Sequence, residues 1–469
     1  MKRLMVGFLI IIFPMLILAA CSTGDDETSD SGQSITNENT GNDDGSNEVH
    51  NNENNTNNEE DNSDGEITAF DPEEEITLHF MAPWSEEQVK SRFQDEFEKE
   101  YPNITIEPII EWPEKEELEK TYAKDIIPDV ILVLGDFQEL EEMDAVMPLD
   151  TLIENSDLDL DVYREGAIDA IRSRDPLGED RLLGLPVEDI VFALFYNKEV
   201  FDLFGVQYPV DGMTWEDVVE LVPKVTGERN GIDYVGLPTN SWSQAFQQLS
   251  VTGTDPETGE VLFVNQPEFA KYFKLIEDLI TIPGNIVKDP DETEFKTGNI
   301  AMNLLTVSNI PNMSGEDSLD FDVVQFPSWE DNPNVMPNNL PLTLAINPHS
   351  EHKEAAFKLL EFIASEEQQI NMAEAGVAPV VDDPEVVAHL AEGGGADINI
   401  EGVYSGTPAE PAEYSKYGPD MLFYAENFLG TKTTEFLDLF RENKSVDINT
   451  FIREMEEEYE AILKEKEFK

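Results

Sequence analysis

Apolar residues fall along this chain in three regimes. At the start, Leu4 to Leu18 form one apolar run broken only by Gly7 and Pro14, with Lys2 and Arg3 before it and Ala19-Ala20 after it. A basic end, an apolar middle and small residues before a cut site are the pattern of a secretory signal over residues 1–20. Residues 22 to about 72 are Asn, Asp, Glu, Ser, Gly and Thr with hardly an apolar side chain. Such a segment cannot bury enough surface to offset the entropy of ordering, so a flexible acidic linker is expected over 21–74. From residue 75 to 469 short alternating and helical periods take over.

That body opens on Ile76-Thr77-Leu78-His79-Phe80, an alternating strand. Ser85 then caps a helix whose Val89, Phe93, Phe97 and Tyr101 recur every four residues as one stripe. Ile104–Ile110 reads as a second strand, and a charged helix follows from about Pro113 to Ala123. Val130-Ile131-Leu132-Val133-Leu134 is the continuous apolar run of a buried parallel strand. The order β-α-β-α-β predicts a doubly wound sheet, whose ligand crevice lies beyond the carboxyl ends of its strands. Further on, Ala193–Phe201 reads as a strand that breaks into a short helix. Thr214 caps a helix with Asp217 reaching back, and another helix starts at Gln244. Val323–Pro327 and Leu342–Ile346 read as strands, 352–372 as one helix with Ala356, Leu359, Leu360 and Ile363 buried, and Thr433–Lys469 as helical.

Length adds a division. A body of about 390 residues exceeds what one core serves, so two lobes are expected, the chain crossing between them near 185–190 and 310–345. Charge adds a constraint on partners. The chain carries 100 Asp and Glu against 29 Lys and Arg, a net −71. Residues 22–75 hold only 18 of those acids and no base, so the excess is spread through the body. Phosphate backbones would be repelled, and no nucleic-acid partner is expected. Such a surface suits a saline or alkaline medium.

Cys21 is the sole cysteine, so no intrachain disulfide can form. Standing directly after Leu18-Ala19-Ala20, it resembles the cysteine of a bacterial lipoprotein lipobox. That resemblance implies lipid attachment at Cys21 and a membrane-anchored, extracellular protein. The competing readings are an ordinary signal peptide or a short membrane helix with a chance cysteine.

Five segments in order carry a second resemblance. They are Pro128-Asp129-Val130 with Pro148-Leu149; Phe195-Tyr196-Asn197-Lys198-Glu199-Val200-Phe201; Thr214-Trp215-Glu216; Phe295-Lys296-Thr297-Gly298-Asn299-Ile300-Ala301-Met302; and Leu344-Ala345-Ile346 running into Glu354–Ile363, then Pro379. The chain resembles the extracellular solute-binding proteins of family 1, the receptors of ABC importers that include maltose-binding relatives. The resemblance covers roughly 76–465. It implies an α/β, two-lobed periplasmic-binding-protein-like fold with a hinge between the lobes. It also implies a monomer that captures a sugar-like small-molecule solute by hinge closure and presents it to importer membrane subunits. Two departures stand out. Asn303–Asn309 lacks the aromatic that many sugar-binding relatives carry there, and Asn338-Asn339 replaces a frequent glycine pair.

Reactive constellations are missing from the sequence. The five histidines are scattered, there is no phosphate-binding glycine loop, and Gly393-Gly394-Gly395 reads as a loop. No catalytic residues, metal site or cofactor are expected. Sugar binding needs flat apolar faces and planar polar groups. On expected loops these are Trp84, Asp136, Phe137, Asn240, Trp242, Trp329 and Asn338, whereas Trp215 and Tyr196 read as packing residues. An exported sensor or interaction lipoprotein on the same fold is the alternative function, and a secreted hydrolase a more distant one.

Overall fold

The structure, a computed structural model, describes residues 74–135, 137–238, 243–286, 295–313, 319–337, 341–381, 383–393, 398–413, 415, 417–418, 428–444 and 446–465. The signal, the linker and Cys21 lie outside the described residues.

In chain order the principal strands are β1 (Ile76–Met81), β2 (Ile104–Ile109), β3 (Val130–Val133), β4 (Leu185–Glu188), β5 (Phe192–Asn197), β6 (Met302–Thr306), β7 (Phe321–Gln325) and β8 (Leu342–Ile346). They form two main sheets. The first runs β2-β1-β3-β8-β4, with β1 parallel to β2 and β3, and β8 antiparallel to β3 and β4. The expected parallel β-α-β-α-β start is therefore present, with β8 inserted against it in the opposite direction. The second sheet is β6-β5-β7, antiparallel throughout. The molecule has the two-lobed α/β architecture of periplasmic binding proteins.

Each element follows from local chemistry. All four residues of β3 are buried, as its unbroken apolar run requires. After β1, Ser85 accepts from the Gln88 N–H while the Gln88 side chain accepts from the Ser85 N–H, a closed capping box. The helix it starts, α1, runs through Glu86–Val89, a π-helical turn Lys90–Gln94 and Asp95–Glu100. Its stripe Val89, Phe93 and Phe97 packs into the first core. In β5 the period of two separates the faces. Leu194 and Tyr196 enter one core, while Ala193 and Phe195 enter another on the opposite side of the sheet.

Two expected helices are each broken in two. The stretch 352–372 is Lys353–Ile363 followed by Glu366–Glu374, because Ser365 adopts extended backbone and its hydroxyl accepts from the Gln368 N–H. The C-terminal segment is Phe428–Arg441 and Ile448–Glu465, interrupted where Asn443 takes a positive φ of 57°.

Several quoted motifs prove to be joints. Asp129 accepts from the His79 N–H at 2.7 Å and from the Ser350 hydroxyl at 2.6 Å, tying β1 to the turn after β8. Asn197 is fully buried and its side-chain Oδ1 accepts from the N–H groups of Glu199 and Val200, which turns β5 into the helix Lys198–Phe204. Thr214 and Asp217 form the expected capping box, and Trp215, 1% exposed, donates to Gln248.

Candidate functional site

The carboxyl ends of β1, β2, β3 and β4 lie along one edge of the first sheet. From β4 the chain runs through Asp189, Ile190 and Val191 directly into β5 of the second sheet. That edge therefore faces the second lobe and is the candidate crevice wall.

On it, Arg92 reaches from the π-helical turn of α1 to Glu188 at the end of β4. Its Nη2 donates to Glu188 Oε2 at 2.9 Å, and both side chains are nearly buried. The same guanidinium lies over the Trp84 ring, 4.5 Å from its centroid. The π turn places this arginine off the stripe that Val89, Phe93 and Phe97 send into the core.

The described aromatics named from sequence are covered. Trp84 is 7% exposed, stacked 6.0 Å from Phe80, edge-on to Phe93 and capped by Arg92. Phe137 is fully buried in the first core. Trp329 is 3% exposed; its Nε1 donates to the Ala245 carbonyl at 3.0 Å, its ring tilts against Trp215, and the Lys271 ammonium sits 4.4 Å from its centroid. In this conformation the three rings serve packing rather than offering an open face. Asp136, Asn240, Trp242 and Asn338 lie outside the described residues.

An aromatic that does stand open is one the pattern reading passed over. Trp112, in the loop after β2, is 55% exposed, and Ile110 beside it is 47% exposed. The available signal was the Ile109-Ile110-Glu111-Trp112-Pro113 run, apolar residues carried past the end of a strand into a turn.

On the second lobe, Asn285 fixes the backbone of Leu237, directly before residues 238–242. Fully buried, it donates to the carbonyls of Leu237 and Leu279 at 2.9 and 3.1 Å and accepts from the Leu237 N–H at 2.9 Å. Where the chain passes between lobes, Arg164 donates to Asp189 at 2.6 Å. Beside this pair, Val191, Met336, Pro337, Pro341 and Pro408 line a half-open hollow of about 20 Å³. That is room for a water, not a solute. Among the described residues no group of His, Cys, Asp and Glu could hold a metal ion, and no helix is long and apolar enough to cross a membrane.

Comparison with known proteins gives a consistent result. A family model described as bacterial extracellular solute-binding protein matches residues 82–370. A putative ABC transporter periplasmic-binding protein of Escherichia coli, YcjN, is 22% identical over 64% of this chain and 70% of its own length. A putative binding protein of Brucella abortus is 25% identical over 39% of this chain, so the chain spans about half (47%) the length of that relative. Among solved structures, an ABC substrate-binding protein of Listeria monocytogenes in complex with cycloalternan superposes with a TM-score of 0.63 at 18% identity, over 83% of this chain and 98% of that one. A sugar transporter protein of Rhizobium etli in an open conformation gives 0.64 at 18% identity, over 82% and 99%. At these identities the structures speak to fold.

Proposed function

This chain belongs to the bacterial extracellular solute-binding protein family, and from that premise we propose that it is the lipid-anchored capture subunit of an ABC importer for a saccharide. In this reading Cys21 holds the protein to the outer face of the cell membrane, and residues 22–74 let the body reach its partner. The two lobes close on the solute, and the closed form is what the membrane subunits recognise.

The observation that carries the reading is the strand order. A doubly wound sheet presents the carboxyl ends of β1 to β4 to a second lobe that the chain enters at Asp189–Val191. That is the placement in which open α/β sheets bind ligands. The likeness to binding proteins whose descriptions name sugars or a cycloalternan favours a saccharide over other solutes.

The test is a saccharide panel read by melting temperature and tryptophan fluorescence. Ligand at 100-fold over Kd should stabilise the protein by about 2.7 kcal/mol. A response confined to peptides or polyamines would overturn the saccharide assignment. No response to any solute would favour a sensor or interaction lipoprotein. For the anchor, Cys21→Ser should release the protein to the medium with ligand affinity unchanged; a variant still held at the membrane would refute lipid attachment at that residue.

A further inference from the structure

We infer that Arg164 is a positioning residue for lobe closure. Without touching the solute, its side chain holds the passages between the lobes in one arrangement, and so sets the affinity for every solute the protein takes. This role rests on the two-lobe capture proposed above and adds to it the residue that sets the balance between lobe arrangements.

The base of Arg164 is fixed in the first lobe. Tyr163, before it, is buried in the first core and forms an antiparallel bridge with Val381. The Arg164 N–H donates to the Val380 carbonyl at 2.8 Å, and the Arg164 carbonyl accepts from the Ala167 N–H at 3.0 Å, where the helix Ala167–Arg172 begins. That helix sends Ala170 and Ile171 into the same core.

The tip of the side chain leaves that lobe. Nη1 donates to Asp189 Oδ2 at 2.6 Å, on the first passage, between β4 and β5. Nη2 lies 4.0 Å from Met336 Sδ, on the second passage, between β7 and β8. The guanidinium carbon lies 5.4 Å from the ring centroid of Tyr404, within reach of a cation–π attraction. Tyr404 ends the helix Ile400–Tyr404, whose Ile400 and Val403 pack with Phe195 and Val323 of the second sheet. The second passage is also joined to the chain beyond this helix, because Val335–Met336 pairs with Thr407–Pro408. One side chain, 14% exposed, therefore reaches from the first core to two passages and to the second core.

Such a spoke cannot keep every contact through a rotation of the lobes. In hinge motion the connecting backbone absorbs the change while the lobes move as bodies. The base of Arg164 moves with the first lobe and Tyr404 with the second, so rotation alters their separation. The half-open hollow beside the guanidinium is lined by Ala167, Asp189, Met336, Pro341 and Pro408, from the first lobe, the passages and the paired ribbon. It leaves the passages space to shift. The contacts of Arg164 thus favour the arrangement in which they are made. A residue that biases a two-state equilibrium changes the apparent affinity of every ligand by one common factor. A residue in contact with the solute changes affinities unequally.

The test compares wild type, Arg164→Lys, and Arg164→Met combined with Asp189→Leu, which leaves neither charge buried without its partner. Lysine keeps a cation for Asp189 but lacks the planar fork that serves several partners at once. In a Cys21→Ser background, which has no other cysteine, spin labels at Glu119→Cys and Glu220→Cys report the separation of the lobes. These exposed positions lie on the helices Lys115–Tyr122 of the first lobe and Trp215–Leu221 of the second. Calorimetry gives Kd for each solute bound. Both variants should move the ligand-free distance distribution and change Kd for all solutes by one common factor of about five or more. Binding should tighten where the distribution moves toward that of loaded wild type and weaken where it moves away. Distances unchanged in both variants would overturn the role, even with stability lowered, and leave Arg164 a structural brace. Moved distances with unchanged Kd, or a change confined to one solute, would overturn it as well. If wild type binds no solute, the capture function falls, while the ligand-free distances still decide whether Arg164 sets the lobe arrangement.

Discussion

The Arg164 guanidinium donates to Asp189 Oδ2 at 2.6 Å with both side chains almost out of water, at the point where the chain leaves the first sheet for the second. Each partner is also bound through its backbone to a third passage. The Arg164 N–H donates to the Val380 carbonyl and the Asp189 N–H to the Ala378 carbonyl. Around them Val377, Val380 and Val381 belong to the first core, while Ala378 and Val387 belong to a core of the second sheet. The pair therefore rivets the chain where it passes between the lobes. Breaking a buried pair strands one charge and costs about 3–5 kcal/mol. Asp189→Asn should lower the free energy of unfolding by that order. Arg164→Met combined with Asp189→Leu should recover most of the loss, because no charge is then left without its partner. Urea titration of the three proteins checks both expectations.

The loop leading into β4 is held by Asp175, which accepts from the N–H groups of Leu177, Glu179 and Arg181 and from the Arg181 guanidinium. Burial alone would raise its pKa, but these donors outweigh it and hold the carboxyl below the ordinary carboxylate range. A carboxyl depressed on folding stabilises fully above its unfolded value, near ~4, and that contribution is lost as pH falls through the lower folded value. Stability should therefore decline in acid, and Asp175→Asn should flatten part of that decline while costing about 3 kcal/mol at neutral pH. Denaturation midpoints across that acidic range, in wild type and variant, check the sign.

Gly184 precedes β4 where it meets β8. A Cβ there would lie 2.5 Å from Thr343 Cγ2 and 2.7 Å from the Leu344 carbonyl oxygen. Backbone cannot yield as a flexible side chain can, so Gly184→Ala should destabilise by about 1–3 kcal/mol. A melting temperature equal to wild type would show that β4 can move away from β8.

The acidic body gives an expectation that involves no single residue. Of the chain's net −71, residues 22–75 supply only −18, and the excess carried by the body repels itself in the compact state. Salt at ~0.1 M shortens the Debye length to about 10 Å. The melting temperature should rise from low to moderate salt, with sodium chloride and potassium chloride acting alike. A flat response would mean that the folded charges already lie far enough apart.

How much of this was legible in the chain depended on the kind of signal. β3 was readable because an unbroken apolar run admits few alternatives, and Thr214 with Asp217 because a capping box is local chemistry. The insertion of β8 between β3 and β4 was not, since antiparallel pairing across two hundred residues leaves no local trace. The break at Ser365 was hidden inside a continuous helical period. The site residues were the least legible. A tryptophan in a loop reads the same whether its ring is covered, as Trp84 is by Phe80 and Arg92, or open, as Trp112 is. What separates them is α1, which packs Phe93 and Arg92 against Trp84, whereas nothing of the kind covers the loop after β2.

Asn285 offers the cleanest separation of ligand affinity from fold. Its amide satisfies both backbone groups of Leu237 at once, directly before residues 238–242. Asp at this position keeps an acceptor for the Leu237 N–H but faces the Leu237 and Leu279 carbonyls with oxygen in place of a donor. Leu removes both functions and leaves the Leu237 N–H and carbonyl buried without this partner, each costing about 1–3 kcal/mol. Both variants should be less stable than wild type, Asn285→Leu by about 2–4 kcal/mol. The informative measurement is ligand affinity well below the melting transition. If residues 238–242 contribute to the site, affinity for the bound saccharide should fall in both variants while that of Gly184→Ala, destabilised elsewhere, stays at the wild-type value. Equal affinity in all three would mean that Asn285 serves the second core alone.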